Sequence, residues 1–577
     1  MFMAIRWYMT SKQGCAVSPE KISETLKQLD IRPDEIQDKK LSEAFSILLN
    51  LFEEMYADYN GTIAENQKLK DEINLLKGEQ PKPDIRGSKK KDNIDESSEK
   101  ERKKREPPKE KKSKSKKDKI KPNRTEKCLV DKSILPADAE FKGYQSVIAQ
   151  ELIIKTDNVE YLKEIYYSPS QNKTYIGQLP LGFKGGYGPG VISFIYTQKH
   201  ASNVSEPRIT EFLNNAGIFI SQSTVSRFLT KDVDIFHQEK SDIIHAGLSS
   251  SVYQQIDDTG TRVNGENQYV QILCNPYYTA FFTVPKKDRL TVIDILLCGN
   301  ERRYYFNKEA FDLLKTFRLS NKVIIQLQSQ VAARTLDEKQ MEEVLGKLFP
   351  NPDKGKNQRA RIKEAGAIAA YHNQTDFPIV PTLLSDDAPQ FKHITKEQGL
   401  CWIHDGRHYK KLHPVVTLNK DKLDDFLEHY WDYYAKLLEY KQSPTQCKAE
   451  ELSGEFDELF STQSGYEALD DRIAKTKAKK VELLLVLKYP ELPLHNNNSE
   501  LGARVEKRKQ DVSLQTITDE GTKSKDTFLT IAQTAKKLGV SVYEYILDRV
   551  SKRFNMPSLA SLIREQSKSI HQFFDTS

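Results

Sequence analysis

The chain has 577 residues, of which 38% are hydrophobic and 29% are charged, and its formal net charge is +6 at pH 7. This length predicts roughly two to four folded units. No apolar run approaches the ~18 residues of a membrane helix, which argues against an integral membrane protein. The six cysteines are scattered without a C-x-x-C pair, so they predict reduced thiols and no cysteine-rich zinc module. Together with a start that lacks the apolar core of a signal peptide, these features predict a cytoplasmic protein.

Residues 1–80 are predicted to form N-terminal helices that include a coiled coil. From Phe45 to Leu76 mostly apolar residues recur at alternating steps of three and four, and Asn66 takes an a position, where one buried Asn fixes register and strand number. This seam of about four heptads predicts a homodimer or a higher oligomer. A helix that packs on its own domain is the alternative, but a charged linker follows the seam, which favours pairing.

Residues 81–127 are predicted to form a disordered basic linker. The stretch Gly87–Arg124 is almost purely charged, so it cannot bury enough apolar surface to offset its ordering entropy. It can serve as a solvated tether, and its cations can also attract phosphates without sequence specificity. The two roles are compatible.

Residues 128–245 are predicted to form a DNA-binding domain. "FKGGYGPG" is a loop, because it lacks the spacing of a phosphate-binding turn. Three helical stretches follow, and the second, capped by Ser205, ends at Gly217 directly before the third. This helix-turn-helix pattern makes the start of the last helix a candidate DNA contact, although any helical hairpin could look similar. The candidate side chains are Gln222, Ser223, Thr224 and Arg227.

Residues 246–577 are predicted to form an α/β domain. Three strand-like runs between Ser250 and Val284 predict a β-meander with Asp257 at the end of its first strand, and a later apolar run ends at Asp386. Charged or amphipathic helical segments, at about 300–372 and 415–487, predict insertions into this domain. Helices close the chain.

The stretch "HNNNSELGARVEKRK" predicts a helix start. Asn497 can cap the helix while Glu500 reaches back as in a capping box, and Glu500, Arg504 and Arg508 share one face through i, i+4 spacing. Carboxylates from separate elements can also hold two divalent ions about 4 Å apart for phosphoryl transfer, and Mg²⁺ suits such ligands. Spacing alone is unspecific, because the chain has 82 Asp and Glu residues.

The order of five motifs resembles the insertion-sequence transposases of the IS-sixty-six (TnpC) group. The motifs are "IDDTGTRV", "TLLSDDAPQF", "CWIHDGRHY", "PLHNNNSELGARVEKRK" and "TDEGTKSKDTFLTIAQTAKKLGVSVYEYI". The resemblance implies an RNase H-like catalytic core with helical insertions, preceded by a coiled coil and a helix-turn-helix domain. It further implies a DDE-type transposase, associated with the nucleoid, that nicks element ends and joins the freed 3′-OH to target DNA. A need for accessory proteins encoded by the same element stays open.

By this resemblance Asp257, Asp386 and Glu500 are the catalytic carboxylates that hold two Mg²⁺ ions, for which Mn²⁺ can substitute. Asp258 stands where the family has Glu, and Asp387 stands where it has Gly.

Supporting and DNA-contacting roles also follow from the resemblance. Asn496 and Asn497 match the family's paired asparagines, and Cys401 and His404 match its C-x-x-H. Two ligands cannot complete a tetrahedral zinc site, so the Cys and His are interpreted as a buttress near the active site, with plain core packing as the alternative. The basic residues of the last motif are predicted to contact phosphates, with a solvated basic helix face as the alternative. They are Arg504, Arg508 and Lys509.

Several positions depart from the family pattern. His495, Leu501 and Gly406 replace an Asp and two Arg residues, which bears on DNA-end specificity more than on chemistry. Two other functions stay open at this point: a catalytically silent DNA-binding protein derived from a transposase, and an RNase H-like nuclease without strand transfer.

Overall fold

The computed structural model describes residues 32–76, 120–131, 136, 139, 141, 143–331, 334–351 and 354–574. The first 31 residues and most of the predicted basic linker lie outside these ranges. None of the helices within them combines the length and apolar character that a bilayer crossing requires.

The predicted heptad seam lies on one long helix, α1 (Lys39–Leu76). The helix is anchored in its first third, where Leu49 packs against Val416 and Leu418. Beyond that contact most of its side chains are exposed, including Leu69 and Ile73 of the seam. The predicted helix is therefore confirmed, and its apolar seam faces outward.

A short hairpin lies within the predicted DNA-binding domain, before its helices. Strands β1 (Ile165–Ser168) and β2 (Lys173–Ile176) pair antiparallel, and most of their side chains are exposed.

Four helices follow the Gly-rich loop. The two helices of the predicted helix-turn-helix are present, and Gly217 between them adopts a φ of +85°, which an L side chain rarely tolerates. Ser221 caps the second of these helices by accepting a hydrogen bond from the Thr224 N–H (3.2 Å). The helices are α2 (Pro189–His200), α3 (Glu206–Asn215), α4 (Gln222–Thr230) and α5 (Asp234–Leu248).

A five-stranded mixed sheet forms the centre of the last domain, with strand order β5-β4-β3-β6-β7. The first three strands form the predicted antiparallel meander, and β6 and β7 run parallel to β3. The expectation that Asp257 ends the first strand is wrong, because pairing with the next strand extends it to Val263. The strands are β3 (Tyr253–Val263), β4 (Glu266–Cys274), β5 (Thr279–Val284), β6 (Thr382–Ser385) and β7 (Glu397–Leu400).

The first predicted insertion is helical, but it is not a separate body. Its last helix buries Ala365 and Ile368 in the same core that contains Ile256 and Leu383 of the sheet. The helix α6 (Arg289–Leu296) precedes this region, whose helices are α7 (Lys308–Thr316), α8 (Asn321–Gln328), α9 (Glu338–Leu348) and α10 (Lys356–Asn373).

The second predicted insertion, at about 415–487, shares an aromatic core with the helix that precedes it. Trp402 is fully buried there among Tyr430, Tyr433 and Phe456, and its indole N–H donates to the Leu483 carbonyl (2.9 Å). The helices are α11 (Trp402–Lys410), α12 (Thr417–Tyr440), α13 (Gln446–Leu459), α14 (Glu467–Lys477), α15 (Lys480–Leu483) and α16 (Leu485–Lys488).

The closing helices cover the sheet edge at β5. The helix α18 sets Asp526, Thr530 and Thr534 one turn apart, and their side chains accept the N–H groups of Thr283 (2.6 Å), Phe281 (3.1 Å) and Thr279 (3.3 Å). Four residues of a helix rise about 6 Å and two residues of a strand about 6.8 Å. Side chains four apart on α18 can therefore reach N–H groups two apart on β5. These hydrogen bonds occupy the N–H groups of an edge strand that could otherwise pair with another chain. The helices are α17 (Asn497–Ser513), α18 (Asp519–Lys537), α19 (Val542–Val550) and α20 (Leu559–Phe574).

Glu53 joins α1 to the second helical region. Its buried carboxylate accepts the backbone N–H groups of Val415 (2.9 Å) and Val416 (2.8 Å) and lies 3.4 Å from the Asn419 amide nitrogen. Val416 is the N-cap of α12, so the carboxylate satisfies N–H groups at a helix start, where negative charge is favourable.

Replacing Glu53 with Gln should lower the free energy of unfolding by about 1–2 kcal/mol, because an amide gives up charge-assisted hydrogen bonds at a helix N-terminus. Denaturant unfolding measures the change. Glu54→Gln, at an exposed neighbouring position, is the matched control and should change stability little. Equal stability of the two variants would mean that the charge of the Glu53 carboxylate does not stabilise the fold.

Candidate active site

The parallel pairing of β3 with β6 sets Asp257 beside Asp386. Gln255 pairs with Leu384 in this ladder, and each acid lies two positions further along its chain segment. Neighbouring strands lie about 4.8 Å apart, and side chains two positions apart share a face. The two acids therefore leave neighbouring strands side by side, one within β3 and the other directly after β6.

Each acid belongs to an Asp-Asp pair, and the second member of each pair has cationic partners. Asp258 forms an ion pair with Lys287 (3.4 Å). Asp387 forms ion pairs with Lys392 (2.8 Å) and Lys479 (2.6 Å). Although burial alone would raise the pKa of Asp387, the hydrogen bonds from these lysines lower it. The second acid of each pair is thus engaged in holding neighbouring loops.

The first acids have no such partner. The Asp257 carboxylate accepts the Asp258 N–H (2.8 Å), Asp386 accepts the Ala388 N–H (3.1 Å), and no Lys or Arg in the described residues pairs with either. Burial, together with the negative charges of Asp386 and Glu500, raises the pKa of Asp257 to about 7. Burial also raises the pKa of Asp386. Burial and mutual repulsion therefore disfavour the ionised carboxylates, and a bound cation would offset both effects.

Asn496 fixes the start of α17. Its side-chain amide donates to the Ile256 carbonyl (2.7 Å), one residue before the first acid, and its backbone N–H donates to Cys401 Sγ (3.3 Å). The predicted cap by Asn497 with a Glu500 capping box is wrong. The N-cap is Asn496, and its side chain makes no cap hydrogen bond, because the fully buried amide serves the strand instead.

Gly502 lets α17 lie close against the sheet. A Cβ at this position would lie 2.6 Å from Ile272 Cγ2 of β4, so any side chain would push the helix away. Because Glu500 lies two residues earlier, its distance from the strand acids depends on this approach.

Glu500 enters the site half-buried, beside basic side chains. Arg407 Nη2 lies 3.3 Å from Oε2, Arg504 Nη2 lies 3.9 Å from the same oxygen, and His404 Nδ1 lies 3.8 Å from Oε1. Burial, with the Arg407 charge, lowers the pKa of His404. The sequence interpretation missed Arg407. Its position three residues after His404, on one helical face, was the available signal.

Cys401 completes a tighter group than the three acids form. One ligand atom each from Cys401, His404 and Glu500 lie within 4.8 Å of one another, and no other set of three His, Cys, Asp or Glu ligands in the described residues meets this spacing. The three acids as a set are therefore not so close. Burial raises the pKa of the Cys401 thiol to about 12. Cys401 and His404 thus lie beside Glu500, the third of the predicted acids, and their role as a buttress stays a prediction.

The candidate DNA contacts of the helix-turn-helix lie at the start of α4. Gln222, Ser223 and Arg227 are exposed, whereas Thr224 is half-buried. Their placement leaves three side chains available to a ligand on this face.

The basic residues of α17 divide into two groups. Arg504 and Arg508 are exposed, but Lys509 is 3% exposed, and its ammonium donates to the Lys199 carbonyl. Burial and the neighbouring Lys199 charge lower the pKa of Lys509 to about 7. It lines a pocket of about 280 Å³. The expected exposed DNA contact at Lys509 is therefore wrong, because this side chain lies on the buried face of the helix.

Replacing Asp257 with Asn should stabilise the metal-free protein at pH 8 by about 1–2 kcal/mol. A carboxyl whose pKa rises from 3.8 to about 7 on folding contributes stability below pH 4 that is lost as the pH rises through 7. The gain should shrink at pH 5, where the folded carboxyl is protonated. Thermal unfolding at both pH values measures it. Asp258→Asn, which loses the ion pair with Lys287, should give no gain, and a gain for both variants would contradict the explanation.

The chain matches no model of a known protein family and no solved structure. It is 32% identical over 312 residues to the uncharacterized protein y4jO of Sinorhizobium fredii (strain NBRC 101917 / NGR234). The match covers 53% of this chain and 94% of that relative. Because the similarity extends over nearly the whole of the relative, the chain belongs to the same protein family as y4jO.

Proposed function

We propose that the protein is a DNA transposase whose Asp257, Asp386 and Glu500 form a centre for metal-dependent phosphoryl transfer. The observation that carries this proposal is the alignment of two acids without cationic partners on parallel strands, with a third acid supplied by α17. The resemblance of the five motifs supports the same assignment. The activity would comprise nicking at element ends and transfer of the freed 3′-OH to target DNA.

The sheet supports an RNase H-like core. Its strand order and its change from antiparallel to parallel pairing at β3 are consistent with the core that the resemblance implies. Ligands of mixed α/β sheets commonly lie outside the carboxyl ends of parallel strands, and Asp386 lies at such an end.

The donor set fits Mg²⁺, a hard cation that takes carboxylate and phosphate oxygens. Asp257, Asp386 and Glu500 would hold two such ions, with Mn²⁺ able to substitute. The raised pKa of Asp257 supports the fit, since crowded buried carboxylates gain most from a cation. When bound, the ions would activate the attacking oxygen and stabilise the leaving oxygen of an in-line displacement.

The chain's own side chains position these groups. Arg407 holds the Glu500 carboxylate, Lys287 pairs with Asp258, and Asn496 ties α17 to β3. Each contact reduces the freedom of a carboxylate before substrate arrives, which favours catalysis by preorganisation.

DNA is the proposed partner, both as element ends and as target. Exposed Gln222, Ser223 and Arg227 on α4 and exposed Arg504 and Arg508 on α17 support contacts to bases and phosphates. Thr224 and Lys509 are less accessible. Association with the nucleoid and accessory proteins from the same element stay predictions.

The proposed transposase pairs through α1. Leu48, Met55, Leu69 and Ile73 of the seam are 45%, 47%, 51% and 49% exposed, and an exposed apolar stripe at heptad spacing favours a second helix. A coiled-coil dimer would bury it.

A catalytically silent DNA-binding protein is the second candidate. The ion pairs of Glu500 with Arg407 and Arg504 favour it, because a carboxylate already paired with cations has less need of metal. An RNase H-like nuclease without strand transfer is a third outcome, which the assay below distinguishes.

Glu500→Gln should lower nicking of element ends in Mg²⁺ by at least about 100-fold, because removing a metal ligand costs more than removing its supporting groups. DNA affinity should stay equal or rise slightly. Cleavage and strand-transfer assays, beside a binding titration, measure both effects. Asp511→Asn, exposed on the same helix, is the control. A Glu500→Gln protein that cuts as fast as the parent would remove Glu500 from the centre, and a parent that binds ends but cuts in neither Mg²⁺ nor Mn²⁺ would establish the silent candidate.

Arg508→Ala should weaken DNA binding and reduce the salt dependence of affinity by about one unit of slope, because one phosphate contact is lost. Titrations at two salt concentrations measure the slope. Lys509→Ala should leave the slope unchanged, since its ammonium is buried against Lys199. An unchanged slope for Arg508→Ala would place the DNA path elsewhere.

Replacing Leu69 and Ile73 together with Glu should convert a dimer or higher oligomer to monomers, because charges in the seam oppose helix pairing. Sedimentation of the free protein measures mass. Lys68→Glu, which lies outside the seam, should retain the parent's mass. If the double variant also retains it, the exposed seam does not mediate assembly.

A further inference from the structure

The group formed by Cys401, His404 and Glu500 has chemistry that the proposed function does not use. A thiol, an imidazole and a carboxylate offer ligand atoms within 4.8 Å of one another. Cys401 is the N-cap of α11, His404 lies one turn into that helix, and Glu500 comes from α17. Two helices therefore converge on one point with three different donors.

His404 lacks a partner on the side that faces this group. Its Nδ1 is buried, makes no hydrogen bond, and lies 3.8 Å from Glu500 Oε1. The opposite nitrogen, Nε2, lies 3.0 Å from Arg407 Nη1, and because a guanidinium can only donate, Nε2 accepts. A buried polar atom without a partner is costly and needs an explanation. A cation between the three side chains supplies one.

Burial raises the pKa of the Cys401 thiol, but two features of its surroundings act in the opposite direction and would support a thiolate beside a cation. The Asn496 N–H donates to Cys401 Sγ (3.3 Å), and the sulfur lies at the N-terminus of a helix of nine residues, where negative charge is stabilised. Such a thiolate needs a positive ion beside it, because the position is buried.

The donor set selects the type of ion. Sulfur and nitrogen ligands suit Zn²⁺ and related thiophilic ions, whereas Mg²⁺ takes oxygen ligands. Three protein ligands with a further open position are a common zinc arrangement. Binding would release the thiol proton to solvent and shift the imidazole proton from Nδ1 to Nε2. Arg407, whose side chain is 42% exposed, can turn toward solvent and leave room for the new Nε2–H.

We propose that Cys401, His404 and Glu500 form a site for a thiophilic divalent cation such as Zn²⁺, and that its occupation withdraws Glu500 from the carboxylate centre. The second part rests on the proposed function, whereas the first does not. Zn²⁺ would then inhibit the Mg²⁺-dependent reaction by competing for one shared carboxylate.

Metal binding tests the first part without any assay of activity. The full chain, stripped with a chelator, should bind one equivalent of Zn²⁺, and Co²⁺ in its place should give thiolate-to-cobalt charge-transfer absorption. Cys401→Ser should abolish this absorption and weaken Zn²⁺ binding by about 10-fold or more. Cys447→Ser, at an exposed thiol, is the matched control and should keep both properties.

Circular dichroism checks that the variants are folded. If Cys401→Ser does not fold, the parent's cobalt spectrum and His404→Gln, at a half-buried side chain, decide the question. Absence of thiolate absorption in the parent, or its loss in Cys447→Ser instead, would overturn the proposal.

Inhibition tests the second part. Zn²⁺ added in saturating Mg²⁺ should inhibit nicking by the parent at least about 10-fold more than nicking by Cys401→Ser, each compared with its own rate without Zn²⁺. Equal inhibition would remove the link to Glu500. A parent that never nicks DNA would count against the transposase alone, because the binding result is independent of it.

Discussion

The parallel pairing of β3 with β6 is the constraint on which the rest of the candidate site depends. It joins two acids that are distant in sequence, and a slip of one residue would turn one of them to the opposite face of the sheet. The buried side-chain amide of Asn496 then donates to the β3 carbonyl of Ile256, next to Asp257, and so fixes the start of α17. The third carboxylate is thus positioned from the same strand as the first.

The four acids of this region differ in whether a cation lies beside them. Lysines that reach Asp258 and Asp387 stabilise the loops beyond the strands, whereas the preceding acids stay without cations and carry raised pKa values. Perturbed carboxyl groups in a shared, partly buried place are typical of functional sites. The protein therefore gives up stability where the acids meet, and recovers it through the ion pairs around them.

Much of this could be predicted from the sequence, because strands and helices follow apolar periodicity. The meander, the helix over the seam and the helical insertions all follow that rule. The burial of Lys509 could not be predicted in this way. The buried face of α17 carries Gly502, Glu506 and Lys509, so it shows no apolar periodicity. The cap at Asn497 fails for a related reason: a strand distant in sequence uses the Asn496 amide, and local patterns do not include it.

The anchoring of α1 at Glu53 gives the N-terminal helix a mechanical meaning. From Glu53 to Leu76 the helix extends for about 35 Å. Glu53 is fixed to the start of α12, and the preceding helix, α11, carries His404 and Arg407. A long helix fixed at this point sets the distance between the domain and any partner bound along the helix. Two copies that paired along these helices could not approach at an arbitrary distance, so the separation between their carboxylate centres would be a property of the chain and not of the DNA between them.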